Sequence, residues 1–316
     1  MRGFTPRQEA AAQGRQWSIG HDLRPWIRAC YSFRRVVDNY TGALMQVRRS
    51  SGGGLADIRP YQDRYLDRAA YLAHVVSPSL YGSCKTWYDQ SGNGHHIVSS
   101  SEGAFLSYNT STPCWEVLHS DGGVTTGNND FPSGILTGLT EASFCAVYGN
   151  QGDGGWGRLS DTSSNTHTPF SDGHAYDSFA ATARQQFTGY SSDPPGSVST
   201  ADYATKLHNL VNTGTTLALW KNGRKVGSTA TGLTFDASPT NRRLFNFVNG
   251  GTARVELREI IIFTRALNER ERAAAEAEQH AAFCGFGKVR YGASATVIGP
   301  TVLAPGHAHR NSYPVA

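Results

Sequence analysis

The 316 residues carry 29 Lys and Arg against 25 Asp and Glu, a formal charge of +4, and 39% of them are hydrophobic. That surplus is too thin and scattered for phosphate tracking, which excludes a nucleic-acid partner. No run approaches the roughly 20 apolar residues of a membrane span, which excludes membrane insertion.

The chain opens with a polar arm, residues 1–26, that lacks the apolar run of a secretory signal and implies a product made and kept in a cytoplasm, or released by a route other than signal-led secretion. Arg34-Arg35 and Arg48-Arg49 fall in strand-like sequence and read as solvated faces. A short helix is predicted over 63–74 (DRYLDRAAYLAH). Beyond it the 35 glycines, with many Ser, Thr and Asn, punctuate the chain in the manner of short strands joined by turns. Strands are predicted at 143–148 (SFCAVY) and 216–220 (TLALW). The second leads into Asn222-Gly223, where both residues tolerate the positive φ of a tight hairpin turn. Further strands follow at 244–248 (LFNFV) and 255–263 (VELREIIIF), the last ending in a fully apolar run that belongs deep in a core. Asn268 with Glu271 forms a capping-box pattern ahead of ERERAAAEAEQHAAF, a helix that Gly285 would close. Residues 285–316 form an extended tail whose Val297, Ile298, Val302 and Leu303 would be wasted in solvent, so docking on another surface is expected. The five cysteines, at 30, 84, 114, 145 and 284, are odd in number and widely spaced. They read as free, mostly buried thiols rather than a zinc site or a disulfide framework.

Two segments carry a family resemblance: ACYSFRRVVDNYTGALMQVRRS at 29–50, followed by Ala56-Asp57-Ile58, and TWYDQSGNGH at 86–95. Together they resemble the catalytic-domain sandwich of family 54 α-L-arabinofuranosidases and the related modules of bacteriophage virion proteins. PFSDGHAYDSFAATAR, LWKNGRKVGS and LREIIIFTRALNERE are similar to the wider laminin-G and concanavalin A-like group. The tail around Leu303 to His309 resembles closing segments of phage tail-associated proteins. The resemblance implies an all-β, concanavalin A-like jelly-roll sandwich over 27–284, with a few short helices and with 1–26 and 285–316 as extended arms.

It also implies a chemistry to look for. A retaining glycosidase needs a carboxyl nucleophile and a carboxyl acid/base about 5–5.5 Å apart. In the family these are a Glu on a central strand and an Asp in a glycine-rich loop. Here no Glu lies between Glu141 and Glu256, and the stretch 241–255 holds neither Asp nor Glu, with Asn249 near the place of the acid. The segment matching the nucleophile strand is 171–177, with His174, Tyr176 and Asp177 as candidate ligand contacts. Asp172 and Asp177 could pair with Asp89 or Asp161, or could serve only as turn residues.

Asp89-Gln90-Ser91-Gly92-Asn93-Gly94 is the sharpest motif. The oxygens of Asp89 and Asn93 suit a sugar or a Ca²⁺ ion, since hard cations take carboxylate and carbonyl ligands. Turn chemistry accounts for the same residues, so no cofactor is required. Trp87, Tyr88, Trp115, Trp156 and Tyr176 are candidate sugar platforms. Trp156 in Gly154-Gly155-Trp156-Gly157 leads because a flexible loop has no packing need for a Trp, whereas Trp87 and Trp220 read as core. His95-His96 and His307-x-His309 each lack a third metal ligand and read as polar turn and tail residues. With the carboxylates missing, the expectation is a non-enzymatic bacteriophage virion protein, a tail-fibre or capsid-decoration component with a lectin-like sandwich. Its arms would bind other virion proteins, its sandwich a host-surface polysaccharide for attachment. It would form a homo-oligomer such as a trimer, although no coiled-coil heptads are present. The alternatives are an arabinofuranosidase-type glycoside hydrolase and a stand-alone carbohydrate-binding module.

Overall fold

A computed structural model describes residues 23–49, 53–61, 65–75, 82–99, 105–108, 116–119, 129–130, 132, 135, 138–150, 156–158, 206–229, 243–244, 246–248 and 255–283. A 3-10 turn at Arg24–Trp26 leads into β1 (Ile27–Ser32), β2 (Met45–Arg49), β3 (Leu55–Ile58), β4 (Pro60–Tyr61) and β5 (Tyr65–Leu66). Helix α1 (Arg68–Val75) follows, then β6 (Gly82–Trp87), β7 (Ile97–Ser99), β8 (Phe105–Tyr108), β9 (Glu116–His119) and β10 (Asn129–Asp130). The second half holds β11 (Ala142–Asn150), β12 (Trp156–Arg158), β13 (Lys206–Asn212), β14 (Leu217–Lys221) and β15 (Arg224–Thr229). It closes with β16 (Arg243–Leu244), β17 (Asn246–Val248), β18 (Val255–Phe263) and helix α2 (Glu269–Phe283).

The strands make an all-β sandwich. One layer runs β15-β14-β13-β11-β18, with β1 and then β9 on the far edge of β18. The other runs β3-β2-β6, with β8 and β7 sharing the far edge of β6 and β10-β16 beyond β7. The β8–β9 pairing joins the layers. Alternation along β1 and β11 builds the interior: Ala29, Tyr31, Phe144 and Ala146 meet Met45, Val47, Ile58 and Trp87 between the layers. Cys30 and Cys145 face the opposite way, into a second cluster with Ile261, Phe263 and Ala275 of α2. This explains the unbroken apolar run of β18. Ile260 and Ile262 serve one core, Ile261 and Phe263 the other, and each such side chain contributes about 1.5–3 kcal/mol.

Local signals account for most boundaries. Asn222 at φ +48° and Gly223 at φ +78° make the β14–β15 turn. At α2, the Asn268 side chain accepts from Glu271 N–H at 3.0 Å, and Glu271 Oε2 accepts from Asn268 N–H at 3.0 Å. Gly285, Cys114 and the side chains of Cys284 and the tail lie outside the described residues; Cys30, Cys84 and Cys145 are free and buried.

Three expectations need correction. The helix predicted at 63–74 begins only at Arg68, because Asp67 caps Ala70 N–H at 3.0 Å and residues 65–66 pair with 60–61 instead. The single strand expected at 244–248 is two, β16 bound to β10 and β17 bound to β12. Arg34 is no solvated face. It is 3% exposed and forks onto the fully buried Glu259, with Nε to Oε2 at 2.9 Å and Nη2 to Oε1 at 3.1 Å. Ser32 Oγ adds a third hydrogen bond at 2.6 Å, and the guanidinium lies 5.8 Å from the Phe283 ring centre.

Polar groups recur under α2. Arg272 bonds Glu276 at 2.7 Å, while Asn209 and Gln279, each fully buried, have neither amide atom hydrogen-bonded.

Candidate functional site

The Asp89 loop leaves β6 and returns to β7. Positive φ at Gly92 and Gly94 lets it fold tightly, and nothing stands within 4 Å of either position's missing Cβ. Asp89 Oδ1 accepts from Cys30 N–H and Ser91 N–H, both at 2.9 Å. Its Oδ2 accepts from Ser91 Oγ at 2.7 Å and His95 N–H at 3.1 Å. Four donors fill a carboxylate's acceptor sites. Asn93 Nδ2 reaches the carbonyls of Ile27 and Arg28 at 3.2 and 3.0 Å. Gln90 Oε1 accepts from Val36 N–H at 2.8 Å, while its Nε2 donates to Arg34 O at 2.8 Å. The geometry makes this motif a clamp that fastens the loop to β1; a cation here would have to displace those donors. Among the described residues, no three His, Cys, Asp or Glu side chains are gathered to hold a metal ion.

On the outer surface of the β3-β2-β6 layer, a second group stands in solvent. Asp57 Oδ1 accepts from Tyr88 Oη at 2.9 Å and from Gln46 Nε2 at 3.0 Å. The His96 ring meets Tyr88 edge-on at 5.1 Å, and its Nδ1 accepts from Asp89 N–H at 3.0 Å. Burial, then the hydrogen bond to Asp57, pushes the Tyr88 phenol up to about 12, so it remains a donor. Burial and the nearby Arg28 hold His95 below the usual imidazole range.

Several buried or half-buried carboxylates among the described residues are committed to arginines: Glu259 to Arg34, Glu276 to Arg272, and Glu271 to Arg265 at 2.6 Å. They brace the fold and are not free to exchange protons with a substrate. Asp161, Asp172, His174, Tyr176 and Asp177 lie outside the described residues, as do Trp115, His307 and His309. The Trp156 backbone is described and corrects its assignment to a flexible loop. It opens β12, paired with β17 in the register Trp156–Val248, Gly157–Phe247 and Arg158–Asn246. The pairing sets Trp156 beside the strand that immediately precedes Asn249, two positions that sequence reading singles out separately. Trp87 is fully buried, 5.4 Å from Phe33 and 5.8 Å from Tyr31. Trp220 is only half-buried, with the Arg272 guanidinium 4.6 Å from its ring centre. Sequence reading misses the Asp57–Gln46–Tyr88 group, since its members are far apart in the chain and only the strand register unites them.

No family model matches the chain. Among curated proteins it is similar to α-L-arabinofuranosidase B of Penicillium canescens, 34% identical over 84 residues, which is 26% of this chain and 18% of that protein. A probable α-L-arabinofuranosidase B of Aspergillus fumigatus is 31% identical over 91 residues, 26% of this chain and 16% of that protein. The matched part thus spans under a fifth of these relatives. Among solved structures, an arabinofuranosidase complexed with arabinofuranosyl-α-1,2-xylobiose superposes with a TM-score of 0.56 at 15% identity, covering 81% of this chain and 63% of that one. A mutant GH54 α-L-arabinofuranosidase soaked with 4-nitrophenyl α-L-arabinofuranoside gives 0.55 at 16% identity, covering 83% and 64%. The sandwich is therefore of the arabinofuranosidase kind in fold.

These findings overturn the expectation of a non-enzymatic virion protein, and with it the tail-fibre, capsid-decoration and host-attachment readings and the virion localisation. The relatives are fungal proteins named as arabinofuranosidases. The case against catalysis rests on the absent glutamates and on a stretch 241–255 without Asp or Glu, yet aspartate supplies either carboxyl role, and 142–240 holds several, Asp161, Asp172 and Asp177 among them.

Proposed function

We propose that this chain is a glycoside hydrolase of the α-L-arabinofuranosidase type, acting on arabinofuranosyl groups of a polysaccharide. The observation that carries the reading is the 34% identity to an arabinofuranosidase within a chain of the same scaffold. Residues 27–284 are the working unit and 1–26 and 285–316 its flanks. Cleavage requires two carboxyl groups, one to protonate the leaving oxygen and one to attack the sugar or activate water. With Glu259, Glu271 and Glu276 engaged by arginines, Asp172 and Asp177 fill these roles, and Trp156, His174 and Tyr176 line the sugar.

The test is release of 4-nitrophenol from 4-nitrophenyl α-L-arabinofuranoside by the full chain, across the mildly acidic to neutral range. Turnover that falls at least about a hundredfold in both Asp172→Asn and Asp177→Asn supports the assignment. Absence of turnover on this substrate and on arabinan overturns the hydrolase reading, and retained turnover in both variants overturns the residue roles.

A further inference from the structure

The outer face of the β3-β2-β6-β7 layer carries a cross-strand row. Asp57 stands opposite Gln46, Gln46 opposite Thr86, and Thr86 opposite Val98. Residues directly opposite in a sheet share a face, so the four positions form one line across three inter-strand gaps, about 14 Å long. Leu55, two residues before Asp57, stands on the same face at 53% exposure, and Val98 is 48% exposed at the far end. Tyr88 and His96 sit beside the row, with the Tyr88 hydroxyl on Asp57.

The polar groups are held in place and still have capacity. Asp57 Oδ1 takes both internal hydrogen bonds, leaving Oδ2 to accept another. Gln46 donates through Nε2 and keeps Oε1 as an acceptor. His96 accepts at Nδ1, which fixes its proton on Nε2, a donor directed away from the clamp. Planar acceptors and a donor, oriented in advance and flanked by exposed aliphatic and aromatic carbon, match a sugar. Each sugar hydroxyl both donates and accepts, and the ring presents a C–H face to apolar side chains. The free Asp57 oxygen is balanced by Arg48, which stands opposite Leu55 on the same face, so the face carries no single sign of charge and suits a neutral ligand. The row is about 14 Å long and exposed at both ends, with Thr86 buried in its middle, which suits a stretch of polymer rather than a single sugar.

We infer that this face is a second, non-catalytic subsite for a neutral polysaccharide, built from Gln46, Asp57, Tyr88 and His96. It rests on the carbohydrate-active reading above and adds a place where the polymer is held away from the cleavage centre.

The experiment measures retardation of the full chain in native gels cast with neutral debranched arabinan or arabinoxylan. Asp57→Ala and Gln46→Ala remove exposed or half-exposed side chains, and a thermal melt checks each fold. Each variant is expected to bind about 5–10-fold more weakly, the loss of one or two hydrogen bonds to ligand. Unchanged retardation in both variants overturns the subsite, as does a wild-type chain that is not retarded. So does dimerisation of the wild-type chain that both variants abolish, since a second copy would then be the occupant. Aryl arabinofuranoside turnover is read in parallel. A wild-type chain that is retarded but cleaves nothing defeats the hydrolase reading alone, and one that cleaves but is not retarded defeats the subsite alone.

Discussion

Replacing Arg34 by Met tests how the β1–β18 layer is braced on its helix side. Glu259 is fully buried and accepts three hydrogen bonds, two of them from Arg34 and one from Ser32. Without Arg34, Oε1 loses its guanidinium donor and Oε2 keeps Ser32. A buried carboxylate stripped of its cation costs about 3–5 kcal/mol. The guanidinium also lies against the Phe283 ring, a contact of roughly 0.5–1 kcal/mol, while the Met stem replaces much of the lost packing. The sum corresponds to a fall in Tm on the order of 10 °C for a domain of this size. Urea unfolding followed by tryptophan fluorescence reads the change, because Trp87 is buried in the core. The double variant Arg34→Met/Glu259→Leu should recover most of the loss, since removing both charges also removes the desolvation penalty. A single variant within about 1 kcal/mol of wild type would refute the reasoning. So would a double variant no more stable than the single.

Three further outcomes are expected. Gly82→Ala should destabilise by about 1–3 kcal/mol in the same assay, because its methyl would stand 2.3 Å from Val47 Cγ1 and 3.0 Å from Tyr71 Cε2. Asp89→Ala should cost roughly 2–4 kcal/mol and speed hydrogen exchange at Cys30, Ser91 and His95, whose N–H groups it now holds. Glu278 gives a pH signature. Burial pushes its carboxyl up to about 8 against the pull of Arg34, with Glu259 and Asp38 adding to the rise. Its folded-state pKa therefore lies above the unfolded value, so its stabilisation is complete below about 4.5 and is lost as pH rises through about 8. Wild-type stability should fall between those limits by up to about 1.4 kcal/mol per pH unit from this residue, and Glu278→Gln should flatten that slope.

Much of the fold is legible in the sequence because its signals are local. Asn222-Gly223, the Asn268–Glu271 box and the apolar run of β18 each declare themselves within a few residues, and each stands where expected. The capacity of Asp89 to hold backbone N–H groups is equally plain from its turn. That one of its donors is Cys30, on the first strand, depends on tertiary pairing. Arg34 misleads because an arginine beside another arginine looks solvated until its partner, 225 residues away, is folded against it. The helix expected over 63–74 starts late because helix propensity at 65–66 yields to pairing with 60–61. The outer-face group is invisible for a like reason, since Gln46, Asp57 and Tyr88 meet only through register. The expectation of a non-enzymatic protein leaned on which residue types are present, whereas the likeness to arabinofuranosidases lies in strand segments and scaffold.

The position of β18 has a consequence for biosynthesis. This strand sits between β11 on one side and β1 with β9 on the other, yet it is the last strand of the described chain to leave the ribosome. Until it arrives, β1 and β11 wait with exposed edges and their apolar faces unmatched. Such long-range closure makes folding slow, and nascent chains halted before Phe263 should be sticky substrates for chaperones.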